Sequence, residues 1–237
     1  MKGVDKLTTS LTTKLINYIP ERLVVAVGKK VVNRCVNKNA NIKAYDMENL
    51  EGINKPTIFI CNHLSNSDGL ILNKLLKEQD LTFVAGVKLS NNPITKIGIH
   101  MIKTIPIKPN SADKDAMTKI INSIKHGNNI LIFPEGTRSR VGSMIKAKKG
   151  ILLIAKLTKA TIIPLGLWGT EQLLPISEDM SKEKFQPADV HLKIGKPITL
   201  PSREKDESKT AYEDRAINYL MKNIAELLPE KYRGEYK

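Results

Sequence analysis

Cysteine, aromatic residues and long apolar runs are all scarce in this chain. Only two cysteines occur, Cys35 and Cys61, and they have neither a paired spacing nor a metal-ligand spacing. Reduced thiols in a cytoplasmic protein are therefore expected. No apolar run approaches the length of about 18 residues that a membrane-spanning helix needs. No apolar run with a small-residue cleavage site marks a signal peptide, so we expect a protein that neither crosses the bilayer nor is exported.

Positive charge, by contrast, is abundant. Lysine and arginine number 38 against 24 acidic residues, which gives a net charge of +14 and predicts an anionic partner. Nucleic acid, anionic lipid and a phosphorylated metabolite are the three candidates. The 5% aromatic content offers no stacking motif, and neither paired Cys/His spacing nor an evident recognition helix is present. A nucleic-acid-binding protein is thus the less favoured class, and no nucleic-acid partner is expected.

Residues 1–40 differ from the rest and are predicted to form two short amphipathic helices. They carry eight basic and two acidic residues, which suits a segment lying on an anionic membrane surface. That interpretation places the protein on the cytoplasmic face of the membrane, peripheral or monotopic. The other interpretation is a helical pair packed on the following domain with its charges solvated. The apolar positions at helical spacing are Leu7, Leu11, Leu15 and Ile19, then, beyond Pro20, Leu23, Val24, Val27, Val31 and Cys35.

Residues 41–237 alternate between short apolar runs and helical patterns. Such alternation predicts one α/β domain in which helices flank a mixed, largely parallel central sheet. The chain of 237 residues is long enough for one such domain with a small appendage. The predicted strands are Thr57 to Cys61, Leu81 to Ala85, Thr104 to Ile107, Asn129 to Phe133, Thr161 to Gly166 and Val190 to Ile194. The predicted helices are about Leu70 to Lys77, Pro93 to Met101, Ala112 to Lys125, Ala147 to Lys159 and Asp206 to Leu228.

A histidine follows the first of these strands, where open α/β sheets place their sites. His63 leaves the strand and Asp68 comes five residues later, with a turn-forming stretch between them. An Asp that bonds one ring nitrogen fixes the tautomer, so that the other nitrogen can take a proton as a general base. The alternative is that Asp68 caps the helix beginning near Gly69 and His63 is an incidental loop residue. This pair alone leaves both interpretations open.

A second motif, Phe-Pro-Glu-Gly-Thr-Arg, follows the strand that ends at Phe133. Glu135, Gly136, Thr137 and Arg138 bring together a flexible Gly, a hydroxyl, backbone amides and a guanidinium, which can hold a phosphate. The chain uses 31 lysines but only 7 arginines, so an arginine here indicates a two-pronged contact that lysine cannot make. An ordinary β-turn with solvated charges is the alternative.

The two motifs together, in this order, resemble the PlsC-like glycerophospholipid acyltransferase family. Its first block is His, four residues, Asp, and its later block is Phe-Pro-Glu-Gly-Thr-Arg; both match without a gap. Gly86-Val87-Lys88 through Ile107-Lys108 resembles the second block, and Ile163 through Gly169 resembles the fourth. The resemblance covers roughly residues 55–200. One departure is Lys108, where the family usually has an arginine; a lysine supplies charge to a phosphate but not a two-pronged contact.

The resemblance implies transfer of a fatty acyl group from acyl-CoA or acyl carrier protein to the sn-2 hydroxyl of lysophosphatidate, forming phosphatidate. Glycerol 3-phosphate or another lysolipid is the alternative acceptor. His63 is expected to deprotonate the hydroxyl and Asp68 to orient His63. The acceptor phosphate is expected to bind Glu135, Gly136, Thr137 and Arg138, with Lys88 and Lys108. No metal, cofactor or acyl-enzyme is expected.

Two further groups of residues are weighed for a part in this reaction. Lys146, Lys148 and Lys149 follow the second motif and could meet the phosphates of CoA or the acidic face of a carrier protein. A solvated helix start explains the same lysines equally well. Cys61 lies two residues before His63, so a covalent mechanism is conceivable, but a cysteine inside an apolar strand is more often a small core residue.

Overall fold

The computed structural model describes residues 21–86, 101–108, 111–176 and 183–237, with side chains from residue 26 onward. The predicted helix from Leu7 to Ile19, most of the one from Pro93 to Met101, and Lys88 lie outside these residues. Within them, one sheet of seven strands runs through the molecule. The strands are β1 (Ala40–Tyr45), β2 (Thr57–Cys61), β3 (Thr82–Gly86), β4 (Lys103–Ile107), β5 (Ile130–Ile132), β6 (Thr161–Trp168) and β7 (Ala188–Ile194).

The strand order is β1-β7-β6-β2-β5-β3-β4. Every neighbouring pair is parallel except β6 and β7, which are antiparallel. The described helices are α1 (Glu21–Asn39), α2 (Asp68–Leu75), α3 (Lys114–Lys125), α4 (Gly150–Thr158), the single turn α5 (Thr170–Leu173) and α6 (Lys209–Ala225). The prediction of a mixed α/β fold with a largely parallel sheet is confirmed.

The central strands are apolar beyond their first residue, as expected where both faces of a sheet are covered. Alternation along β2 sends Ile58 and Ile60 to one face and Phe59 and Cys61 to the other, and all four are fully buried. Helices α3, α4 and α6 pack on the first face. Helices α1 and α2 pack on the second. Each fully buried Ile or Phe contributes about 2 kcal/mol of transfer free energy, so this double burial holds β2 rigidly at the centre.

Strand β1 was not among the predicted strands. Among the described strands it lies at one edge of the sheet, paired in parallel with β7. Its residues are exposed or half-buried, with Asn41 and Lys43 open to solvent. An edge strand needs no apolar run, and therefore it lacks the signal by which the other strands are recognised.

Helix α1 has two apolar faces. Val32 and Val36 are buried against the sheet, so the helix does pack on the α/β domain. Val27 and Val31, which belong to the stripe predicted to face lipid, lie one turn apart and are 60% and 54% exposed. The packing expected by the second interpretation is therefore present, and contact of the exposed valines with a membrane surface stays a prediction. No helix within the described residues is long and apolar enough to cross a membrane.

Candidate active site

The two sequence motifs meet because β2 and β5 are neighbours in the sheet. Ile58, Phe59 and Ile60 pair in parallel with Ile130, Leu131 and Ile132. The carboxyl ends of both strands therefore lie at the same edge, where His63 leaves β2 and the Phe-Pro-Glu-Gly-Thr-Arg motif leaves β5. The segments are more than 60 residues apart in sequence, and the strand pairing alone brings them together.

The Asp68 carboxylate is directed at His63. Its Oδ2 accepts hydrogen bonds from His63 Nδ1 at 2.7 Å, from Leu64 N at 2.8 Å and from Ser65 N at 2.9 Å. Asp68 is the first residue of α2, yet this oxygen bonds the loop before the helix instead of capping the helix's own amides. Because an ionised carboxylate only accepts, the neutral tautomer that fits this contact carries its proton on Nδ1 and leaves the lone pair of Nε2 free. That arrangement suits a general base.

The second motif fixes the backbone of His63 on both sides. His63 N donates to Glu135 Oε1 at 3.0 Å, and Ser139 N donates to His63 O at 2.8 Å. The Phe133 ring stacks on the imidazole, with ring centroids 4.0 Å apart and an interplanar angle of 14°. The two motifs thus form one site, and contacts from the second motif help to fix both the position and the orientation of the imidazole.

Glu135 points into the protein, so the predicted contact between its side chain and a phosphate is not supported by its position. Its side chain is fully buried. While Oε1 accepts from His63 N, Oε2 accepts from Ile145 N at 3.1 Å. Burial raises the pKa of Glu135 from 4.5 to about 8, against the opposing effect of the two amides. We therefore infer that Glu135 holds the loops around His63 and Ile145 together. The motif by itself does not reveal these two contacts.

The neighbouring residues of the motif do face solvent. Gly136 and Thr137 are exposed, and Gly136 has a φ of 71°, a conformation that side chains with a Cβ rarely adopt. Arg138 is half-buried, and its Nη1 lies 3.5 Å from Glu183 Oε1. The other oxygen of Glu183 accepts from Asn66 Nδ2 at 2.7 Å. Glu183 therefore connects Arg138 with the His63 loop, a link that sequence reasoning missed because Glu183 belongs to no motif.

The predicted lysines occupy different places. Lys108 is exposed just beyond β4, at the same edge of the sheet as His63. Lys146 and Lys148 are exposed, and the Lys148 side chain passes over Gly136, where a Cβ would lie 3.1 Å from its Cγ. Lys149 instead pairs with Asp214 on α6 at 2.6 Å. The geometry favours Lys148 over Lys149 as a residue that meets a ligand at the motif.

Cys61 is not suited to act as a nucleophile. The side chain is fully buried in the sheet. Burial raises the pKa of the thiol well above its usual value, and the nearby carboxylates of Asp68 and Glu135 raise it further. A nucleophilic cysteine needs the opposite environment, partly exposed and electropositive. The covalent alternative is therefore disfavoured.

Asn62 is a site-building residue whose role the sequence did not indicate. Its side chain donates to Leu167 O at 2.7 Å and accepts from Leu167 N at 2.9 Å. The amide thus continues the pairing of β2 with β6 by one residue and sets the point at which the chain turns toward His63. A cavity of about 340 Å³ lies beside this turn, lined by Leu64, Ser139, Arg140, Gly142, Glu171 and Ile176.

The Acyltransferase family model matches residues 36–168, more than half of the chain, and the chain therefore belongs to that family. Among its relatives, a chloroplastic 1-acyl-sn-glycerol-3-phosphate acyltransferase of Brassica napus is 30% identical over 155 residues. This alignment covers 64% of the chain and 43% of that protein. A 1-acyl-sn-glycerol-3-phosphate acyltransferase of Bacillus subtilis is 24% identical over 195 residues, or 80% of the chain and 90% of that protein.

The fold also matches a solved structure. The crystal structure of the 1-acyl-sn-glycerophosphate acyltransferase PlsC from Thermotoga maritima superimposes with a TM-score of 0.62. The match covers 93% of this chain and 88% of that one, at 22% sequence identity. The shared architecture therefore extends beyond the region of the family model.

Proposed function

We propose that the chain is an O-acyltransferase that moves a fatty acyl group from a thioester to the sn-2 hydroxyl of lysophosphatidate, forming phosphatidate. The observation that carries this proposal is the joining of His63, Asp68 and the Phe-Pro-Glu-Gly-Thr-Arg loop in one site. Relatives named for the same reaction support the choice of acceptor.

In the proposed reaction, His63 acts through Nε2, the nitrogen that does not bond Asp68. Nε2 removes the proton of the acceptor hydroxyl while the hydroxyl oxygen attacks the thioester carbonyl carbon. The tetrahedral intermediate collapses, its C–S bond breaks, and the leaving thiolate receives that proton from the His63 imidazolium. Asp68 stabilises the imidazolium between the two steps. The steps balance without an acyl-enzyme, a metal or a cofactor.

The acceptor phosphate, in this proposal, binds the exposed part of the second motif. Thr137 can donate its hydroxyl, the Arg138 guanidinium can make a two-pronged contact, and Lys108 can add charge from β4. Glu135 contributes indirectly, because its buried carboxyl group holds this loop against His63. Such binding places the hydroxyl at the base, and positioning of this kind is a large part of catalysis.

The acyl donor, acyl-CoA or acyl carrier protein, is proposed to approach over Lys146 and Lys148. Both are exposed on the segment that follows the motif and is bonded to it through Ile145 N and Lys148 N. A CoA phosphate or an acidic carrier surface would find positive charge there. A variant with both lysines replaced by glutamine is expected to raise the donor KM and leave the acceptor KM unchanged. The matched control replaces two exposed lysines at the far end of α4, Lys156→Gln and Lys159→Gln.

An acyl-transfer assay with the purified protein tests the reaction. Lysophosphatidate, glycerol 3-phosphate and lysophosphatidylcholine are offered in turn, each with acyl-CoA and with acyl carrier protein. We expect the highest kcat/KM with lysophosphatidate and none in His63→Ala. Full activity in His63→Ala would falsify the mechanism, and a preference for glycerol 3-phosphate would identify the alternative acceptor.

We also propose that α1 contacts an anionic membrane surface on the cytoplasmic side. Val27 and Val31 are exposed, and exposed Lys30 and Arg34 lie beside them on the helix. The double variant Val27→Ser, Val31→Ser should co-sediment less with anionic vesicles than the unmodified chain. Duplex DNA at low and high salt is the comparison, and strong DNA binding without vesicle binding would contradict this assignment.

A further inference from the structure

Residues 229–237 form a pair of short 3-10 turns, Glu230–Tyr232 and Gly234–Tyr236, that lie against the segment following the second motif. Met144 N donates to Tyr232 O at 2.8 Å, and Ala147 N donates to Tyr236 Oη at 3.1 Å. Tyr232 is buried and Tyr236 is half-buried. This contact joins two parts of the chain that are more than 80 residues apart.

The segment 144–148 is bonded on its other side to the active-site loop. Ile145 N donates to Glu135 Oε2 at 3.1 Å, and Lys148 N donates to Pro134 O at 2.7 Å. The amides of this segment therefore alternate between two partners, the tyrosine-bearing turns behind it and the motif in front. Its position is set by both.

The contact has little freedom to shift. Gly234 has a φ of 55°, and a Cβ at this position would lie 1.9 Å from Met144 O. Tyr232 Oη also donates to Glu171 Oε1 at 2.8 Å, and Glu171 lines the cavity beside the His63 loop. The turns are thus anchored at both ends, and any displacement of them would be transmitted to segment 144–148.

We propose that Tyr236 is a positioning residue for His63, acting through segment 144–148 and Glu135. Tyr236 Oη accepts a hydrogen bond from Ala147 N. Two residues earlier in the same segment, Ile145 N donates to Glu135 Oε2. The other oxygen of Glu135 accepts from His63 N. Because Glu135 bonds both the backbone of His63 and segment 144–148, the position of the imidazole depends on where that segment lies. This role rests on the proposed function only for its kinetic consequence.

The test is a Tyr236→Phe variant, which removes the acceptor of the Ala147 amide and keeps the ring. Tyr219→Phe is the matched control, since Tyr219 is partly exposed on α6 and the chemical change is the same. One readout is the proton NMR line of the His63 ring, assigned by its absence in His63→Ala. The second readout is steady-state acyl transfer, measured well below the melting temperature of each variant.

We expect the His63 line to move in Tyr236→Phe and to stay in place in Tyr219→Phe. We also expect kcat to fall about tenfold, with the acceptor KM within about twofold, because misplacement of a catalytic group reduces rate more than binding. If the His63 ring proton has the same chemical shift in the two variants, the proposal is overturned, even if the melting temperature of Tyr236→Phe is lower. The NMR readout needs no substrate, so it decides the matter even if none of the offered acceptors reacts.

Discussion

Glu135 is buried at the centre of the site, and its ionisation should make the stability of the protein depend on pH. Burial raises its pKa in the folded state to about 8, whereas the unfolded chain has the ordinary value near 4.5. Between these values the folded protein binds a proton that the unfolded chain does not. The free energy of unfolding therefore falls as the pH rises through this window, and the stabilisation present below 4.5 is lost above about 8.

The size of the effect follows from the span of the window. A shift of one pKa unit corresponds to about 1.4 kcal/mol, so a span from 4.5 to about 8 gives up to roughly 5 kcal/mol. In Glu135→Gln this dependence is absent. The glutamine NH2 group cannot accept from one of the two amides of His63 and Ile145, which costs about 1–3 kcal/mol at every pH.

Denaturant unfolding of the unmodified chain and of Glu135→Gln, from pH 5 to about pH 9, separates the two effects. The unmodified chain should be the more stable at low pH, and the difference should shrink or reverse as the pH rises. Glu226→Gln, the same change at an exposed position, is the control. If the free energy of unfolding varies with pH in the same way for the unmodified chain and for Glu135→Gln, the assignment of a raised pKa to this carboxyl is refuted.

Three further changes address the chemistry of the site, each measured by steady-state acyl transfer. Asp68→Asn should lower kcat by about 10²- to 10⁴-fold, because the tautomer and the imidazolium lose their carboxylate partner; a loss below about threefold would exclude that role. Arg138→Lys should raise the acceptor KM about tenfold with little change in kcat, since the two-pronged contact is lost; an unchanged KM would exclude a phosphate contact. Cys61→Ser should keep most of the activity if the thiol is only a core residue, and complete loss in a folded variant would restore the covalent alternative.

The sequence predicted most strands because they are buried on both faces. Phe59 and Ile60 face opposite sides of the sheet, yet both are fully buried, so the run from Ile58 to Cys61 is apolar without alternation and easily recognised. Strand β1 carries no such run because it lies at an edge and relies on backbone pairing with β7. The helix boundaries were less accurate, as with α6, which begins at Lys209 with the side chain of Ser208 as its cap instead of at Asp206.

The two motifs themselves were also evident from the sequence, because reactive side chains after apolar strands are a local feature. His63 and Asp68 are five residues apart, so their pairing needs only a turn, and the structure gives a bond of 2.7 Å. Neighbouring strands then bring the second motif to the same edge of the sheet. Neither motif predicts that β2 and β5 are neighbours in the sheet.

What the sequence determined by itself was which residue types stand at the ends of which strands, since alternation and motif spacing are short-range properties. Only the tertiary structure decided which way each of those side chains points. It turned Glu135 inward to two backbone amides, paired Lys149 with α6 and packed the turns bearing Tyr232 and Tyr236 behind the active-site loop. Those contacts join residues far apart in the chain, and they depend on burial and strand order, which no local pattern records.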